Sequence, residues 1–239
     1  MGIGLLLVVL SLPIQAGDWG ADAVFNFSQT EQTLLFNGTS ARYKLGGLGL
    51  LGKYQNEKLG TFYLGGGVGY SPDETASFFS VTASGSATSV FKQAAYSNQL
   101  QLTDAFALNL SLNHRDYDIE GDLQGEINNQ PLSVDADSRF KLNELVLSTP
   151  IRLNQTNTLE LGVGVIDWQI EATAKGRLAT GISAKTAVEG SGTEPLFIVG
   201  LQTELFNSEI NFTYKNSTFA ADEKTTMHEI VISLPVVDF

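Results

Sequence analysis

The 239-residue sequence contains no cysteine, which excludes disulfide staples, thiolate metal sites and cysteine nucleophiles. Basic residues are scarce: 14 Lys+Arg stand against 26 Asp+Glu, a formal net charge of -12, and no basic run offsets it. Such a surface repels phosphate backbones, so nucleic-acid binding is excluded as a function class. Charge of either sign is thin, at 17% of residues, and histidine occurs only at positions 114 and 228. Long hydrophobic runs are also missing. The apolar stretch Ile3 to Leu12 is too short to cross a bilayer core of about 30 Å as a helix, and nothing downstream reaches about 18 apolar residues. No transmembrane helix is expected. A chain of this length fits one domain, and its core is large enough to need no staples.

What is present begins with an address. Ile3 to Leu12 (IGLLLVVLSL) has the length of a signal-peptide apolar region, and Pro13, Ile14, Gln15 and Ala16 then lead to the acidic Asp18. We place cleavage after Ala16, although no Lys or Arg precedes the apolar run. Residues 1–16 are then a signal peptide and 17–239 a single exported domain.

The rest of the chain reads in period two. Phe106, Leu108, Leu110 and Leu112 alternate with Ala107, Asn109, Ser111 and Asn113, and Leu159, Leu161, Val163 and Val165 alternate with Glu160, Gly162 and Gly164. The same design recurs around Phe62 to Tyr70, Phe197 to Leu201 and Ile210 to Tyr214. Alternation of this kind is the mark of strands with two unlike faces. In a soluble β-sandwich the polar positions would carry many Lys and Glu facing water; here they are mostly Gly, Ala, Ser, Asn and Thr, which suits a crowded barrel lumen. The pattern predicts strands at about 23–36, 40–55, 59–71, 86–100, 105–119, 138–153, 158–175, 193–205, 208–219 and 225–239. Short turns near 56–58, 102–104, 154–157 and 206–208 alternate with longer polar connections at 72–85, 120–137 and 176–192 and shorter ones near Asn37-Gly38 and 220–224. The expected fold is all-β, a closed antiparallel up-and-down transmembrane barrel of ten strands, with eight the next count if the weak first segment and a neighbour drop out, and with twelve left open.

These features together resemble the monomeric outer-membrane β-barrel proteins of Gram-negative bacteria. The likeness covers 17–239 and ends on Phe239, the terminal aromatic that the family's assembly machinery reads. Val237 and Val231 fit the alternate apolar positions before it, Ser233 and Pro235 do not, and the greasier opposite register (Ile230, Ile232, Leu234, Val236) points to a bulge near Pro235. The resemblance implies residence in the outer membrane, a monomer, and contact with outer-membrane lipid, lipopolysaccharide and the barrel assembly machinery. It implies no cofactor.

Four groups of residues are candidates for chemistry. Gly47-Leu48-Gly49-Leu50-Leu51-Gly52 matches G-x-G-x-x-G, but that fingerprint needs a helix directly after it, and another Gly-rich strand follows instead. Those glycines are read as places where neighbouring strands bend and leave space in the lumen. Asp116, Asp118, Glu120 and Asp122 alternate at the start of an expected loop. Carboxylates this dense could hold a divalent cation, although an EF-hand would need Glu where Ile127 stands. His114 and His228 fall near the expected outer rim, where a carboxylate such as Asp116, Asp118, Asp222 or Glu229 could orient them for hydrolysis or acyl transfer. Finally, Arg42, Lys44, Arg115, Glu144, Glu160 and Glu204 are expected to point inward. Unpaired ions in a narrow lumen cost several kcal/mol each. These residues therefore either pair and plug the barrel or line a narrow selective pore. The reading that follows is a non-enzymatic outer-membrane barrel, structural, surface-binding or passing small solutes. Its rivals are an outer-leaflet barrel enzyme using a rim histidine and a secreted β-sandwich binding module.

Overall fold

The computed structural model describes residues 18–36, 39–78, 81–103, 106–205, 208–221 and 223–238. The segment 1–16 expected as a signal peptide and Phe239 lie outside the described residues, as do the side chains of Arg42 and Lys44.

Ten strands form: β1 (Asp18–Phe36), β2 (Thr39–Asn56), β3 (Gly60–Phe78), β4 (Val81–Thr103), β5 (Phe106–Ile127), β6 (Gln130–Arg152), β7 (Asn157–Leu178), β8 (Ser183–Leu205), β9 (Ser208–Ala221) and β10 (Glu223–Asp238). Each pairs antiparallel with its sequence neighbours, and β1 closes on β10. Closure leaves no strand edge facing lipid, which is what a membrane-spanning sheet requires. A register shift in the β1–β10 ladder opposite Pro235 and Val237 places the irregularity where the proline removes a donor.

Along one half of the barrel the outward side chains are apolar and exposed. Leu64 is 73% accessible and Val163 59%, and Leu112, Leu147, Val165, Phe197, Val199 and Ile230 stand on the same belt. A soluble protein would not leave so continuous an apolar band in water; lipid covers it. The protein is a membrane-spanning β-barrel.

The long polar connections expected at 72–85, 120–137 and 176–192 are not loops. β5 and β6 run on to a two-residue turn at Asn128 and Asn129, both with positive φ (51° and 63°), the conformation that a type I′ hairpin demands. β7 and β8 likewise continue to 178 and from 183. Strands β4 to β8 are 22 or 23 residues long, about twice the 9–11 residues that cross a bilayer. Their far halves therefore project beyond the apolar belt as a strand wall. There the two faces exchange character. On β5 the apolar residues point outward up to Leu112 and inward from Tyr117, through Ile119 to Leu123, while the outward positions become His114, Asp116, Asp118, Glu120 and Asp122. Lipid outside requires the first pattern and water outside requires the second.

Candidate functional site

Two kinds of packing occupy the lumen among the described residues. Phe91, Tyr117, Leu142, Val146, Ile166, Trp168, Ile170, Leu196, Ile198 and Met227 belong to one buried apolar cluster across its middle. Glycine makes room for it at one place in particular. Gly49, Gly67 and Phe91 are direct cross-strand neighbours, and the phenyl ring lies over both glycines, with Phe91 Cζ 2.6 Å from where a Cβ on Gly49 would sit. A side chain on either would exclude the ring. The fingerprint-like glycines thus serve strand packing, in strand β2, with no helix after them.

At the border of this cluster lies an ionic quartet. Arg115 on β5 and Glu144 on β6 face Lys215 on β9 and Glu229 on β10, and all four are buried. Arg115 donates to both carboxylates, with Nη2 at 2.8 Å from Glu229 Oε2 and its other contacts to Glu229 Oε1 and Glu144 Oε1 shorter still. Lys215 Nζ lies 2.6 Å from Glu144 Oε2 and 3.6 Å from Glu229 Oε2. Asn113 donates to Glu144 at 3.1 Å, and Arg115 Nη1 to the Tyr117 hydroxyl at 3.1 Å. Two cations and two carboxylates are locked together across the lumen, so the charge of this buried set sums to zero. Below the quartet a cavity of about 700 Å³ opens at the short-turn end, between Asn56, Thr61, Asn98, Thr158, Gln202 and Glu209. This vestibule lies at the end of the barrel opposite the projecting wall.

The residues expected to line the lumen separate here. Arg115 and Glu144 meet directly. Glu160 lines the vestibule, half-buried, accepting hydrogen bonds from Asn109 Nδ2 at 3.1 Å and from the Ser148 hydroxyl. Glu204 is exposed beside the β8–β9 turn, with its backbone N–H bonded to Thr156, and takes no part in the quartet among the described residues. It has the inward register, but the wall ends too soon to enclose it. Lys215 and Glu229, half of the quartet, were not among the expected lumen charges.

Among the described residues the histidines do not hydrogen-bond a carboxylate, and Asp222 lies outside the described residues. His228 and Glu229 are consecutive on a strand and so point to opposite faces: Glu229 is buried in the lumen, and His228 stands exposed with Tyr214 OH at 2.7 Å and Asn216 Nδ2 at 3.1 Å from its Nδ1. His114 Nδ1 contacts Asn143 Oδ1 at 2.7 Å, Asn143 donates to Asp167, and Thr193 donates to the same carboxylate. This chain of side chains runs outside the barrel over β5 to β8, just beyond the apolar belt. It marks the lipid boundary. The acidic residues from Asp116 to Asp122 follow on the outer face of a strand rather than in a loop. Alternate residues on a strand are about 7 Å apart, too far to close around one ion, and among the described residues no group of three His, Cys, Asp or Glu side chains could hold a metal.

Asp116 is instead held by Arg139, which donates from Nε at 3.0 Å and from Nη2 at 2.5 Å. Those bonds hold the Asp116 carboxyl below its ordinary range. Because the folded value is depressed, the stabilisation is complete above the ordinary aspartate range and is lost as pH falls through the lowered value. Arg139 is exposed, so solvent screens the pair and its effect on stability is small. A carboxyl-carbon NMR titration should show Asp116 titrating low, and Arg139→Gln should move it back toward the ordinary aspartate range. Unshifted titration in the wild type would refute the pairing in solution.

No protein-family model and no curated protein matches the sequence. Among solved structures the chain is similar to Ail, the attachment invasion locus protein of Yersinia pestis, at 10% identity and a TM-score of 0.37, covering 94% of this chain and 100% of that one. It is similar to the translocator domain of autotransporter NalP from Neisseria meningitidis at 10% identity and a TM-score of 0.46, covering 97% and 92%. It is also similar to the outer membrane protease OmpT from Escherichia coli at 9% identity and a TM-score of 0.43, covering 93% and 96%.

Proposed function

We propose that the chain is a non-enzymatic outer-membrane barrel with a closed lumen, which anchors a projecting strand wall at the cell surface for binding. The observation that carries this reading is the quartet of Arg115, Glu144, Lys215 and Glu229, buried together with an apolar cluster across the lumen. A solute entering the vestibule meets a neutralised, packed barrier there. A barrel of ten strands is narrow enough for side chains to fill it in this way.

Planar lipid bilayers test the reading. Purified protein, shown to be folded by its heat-dependent gel mobility, should insert and give no steady conductance. A stable ion-selective conductance, altered in selectivity by Glu160→Ala, would overturn it and assign a channel, with the vestibule carboxylates lining the path.

A further inference from the structure

The projecting wall has one side that the barrel does not close. The ladder between β8 and β9 runs from Leu205–Ser208 to Leu196–Ser217 and stops there among the described residues, although β8 continues for thirteen residues more, back to Ser183. The stop coincides with Pro195, which has no N–H to offer β9. Its carbonyl accepts the Ser217 hydroxyl at 2.8 Å, so the backbone of Pro195 faces the β9 side. The β7–β8 register runs from Arg177–Ser183 to Asn157–Thr203 without a shift. In an antiparallel pair, the N–H and C=O of a residue point to the same side, and successive residues alternate. Thr193, Ser191, Glu189, Ala187 and Lys185 therefore direct their N–H and C=O groups away from β7, and among the described residues no strand pairs with them there.

We infer that this edge, residues 185–193 of β8, binds an extended polypeptide segment as an added antiparallel strand. The inference rests on the proposed surface orientation of the wall. Backbone pairing would supply the attachment, and the outer-face side chains would supply the choice of partner. Lys185, Ala187, Glu189, Ser191 and Thr193 are all exposed on the outer face. Glu189 lies opposite Glu171 of β7, and Lys185 opposite Lys175. Glu189 at the middle of the edge and Lys185 at its end thus each sit beside a like charge on β7. An antiparallel strand fits when it presents a cation opposite Glu189 and, four residues later, an anion opposite Lys185. The same charges discourage uncharged strands. A second copy does not fit: two barrels in one membrane point the same way, so β8 of one cannot run antiparallel to β8 of the other.

The test uses the purified full-length barrel in detergent and a fluorescent synthetic peptide of alternating threonine and valine, with a lysine followed four residues later by a glutamate. Binding is read by anisotropy. The wild type should bind, and replacing the peptide's lysine by glutamate should weaken binding at least tenfold. Glu189→Lys should reverse that preference. The double variant Ala187→Pro and Ser191→Pro removes two outward N–H groups while leaving the β7 ladder intact; it should lose binding at least tenfold and keep its heat-dependent gel mobility. Undiminished binding by the proline variant, no binding by the wild type, or a wild-type dimer dissolved by the prolines would overturn the inference. Binding in detergent that is lost in the proline variant, yet absent on intact cells, would support the edge and refute the surface orientation on which the proposed function depends.

Discussion

Replacing Arg115 with methionine is expected to destabilise the barrel by about 3–5 kcal/mol, the usual consequence of removing one member of a buried ionic set. Arg115 is the only group that bonds both carboxylates with paired nitrogens, and it is 2% exposed. Without it, Lys215 is the one cation left in the quartet to face both Glu144 and Glu229, and one negative charge there goes unbalanced. The cost comes from the stranded carboxylates rather than from the lost attraction, and this distinction can be measured. Replacing all four members by apolar residues of similar size, as Arg115→Met, Glu144→Leu, Lys215→Met and Glu229→Leu, removes the stranded charge as well. That variant should be more stable than Arg115→Met and near the wild type. Urea unfolding of micelle-reconstituted protein, followed by gel mobility, reads both. An Arg115→Met barrel as stable as the wild type would mean that water enters the quartet and that the lumen is open there.

The ten strands were legible because lipid outside and a crowded lumen inside impose opposite chemistry on alternate residues. Rows such as Phe106, Leu108, Leu110 and Leu112 carry that signature, and the structure turns them outward as expected. The hairpin extensions were misread because polar, charged residues between strands look like loops. The period-two signal had not vanished at residue 116; it had changed phase, with Tyr117, Ile119 and Leu123 taking the inward positions. A search for that phase change would have located the lipid boundary on β5 and on β7, where Val165 points outward and Ile166 and Trp168 inward. The quartet was only half legible. Arg115 and Glu144 lie on adjacent strands of one hairpin, but Glu229 is 114 residues from Arg115 and meets it only because the barrel closes. Period two could still have separated His228 from Glu229, since consecutive strand residues never share a face.

Phe91→Ala is expected to destabilise by about 3–5 kcal/mol, because the ring is buried and its removal leaves a cavity between the apolar cluster and the vestibule. The informative measurement is how this change combines with Gly49→Ala. Alone, the new Cβ would stand 2.6 Å from Phe91 Cζ, and the packed ring must move, at a cost of about 1–3 kcal/mol. Once the ring is gone, the nearest remaining obstacle is the Gly66 carbonyl oxygen at 3.0 Å, which a small shift relieves. The double variant should therefore be more stable than the sum of the two single changes by about 1–2 kcal/mol, a coupling of the size seen between residues in contact. Gly66→Ala is the control. Its Cβ would strike the backbone carbonyl of Phe91 rather than the ring, so truncating the side chain offers no relief and the two costs should add. Additive behaviour at Gly49 would show that the glycine serves the bend of the strand and not the seating of Phe91. Coupling at Gly49 without coupling at Gly66 would tie the glycine-rich stretch of β2 to one aromatic ring and to the closure of the lumen.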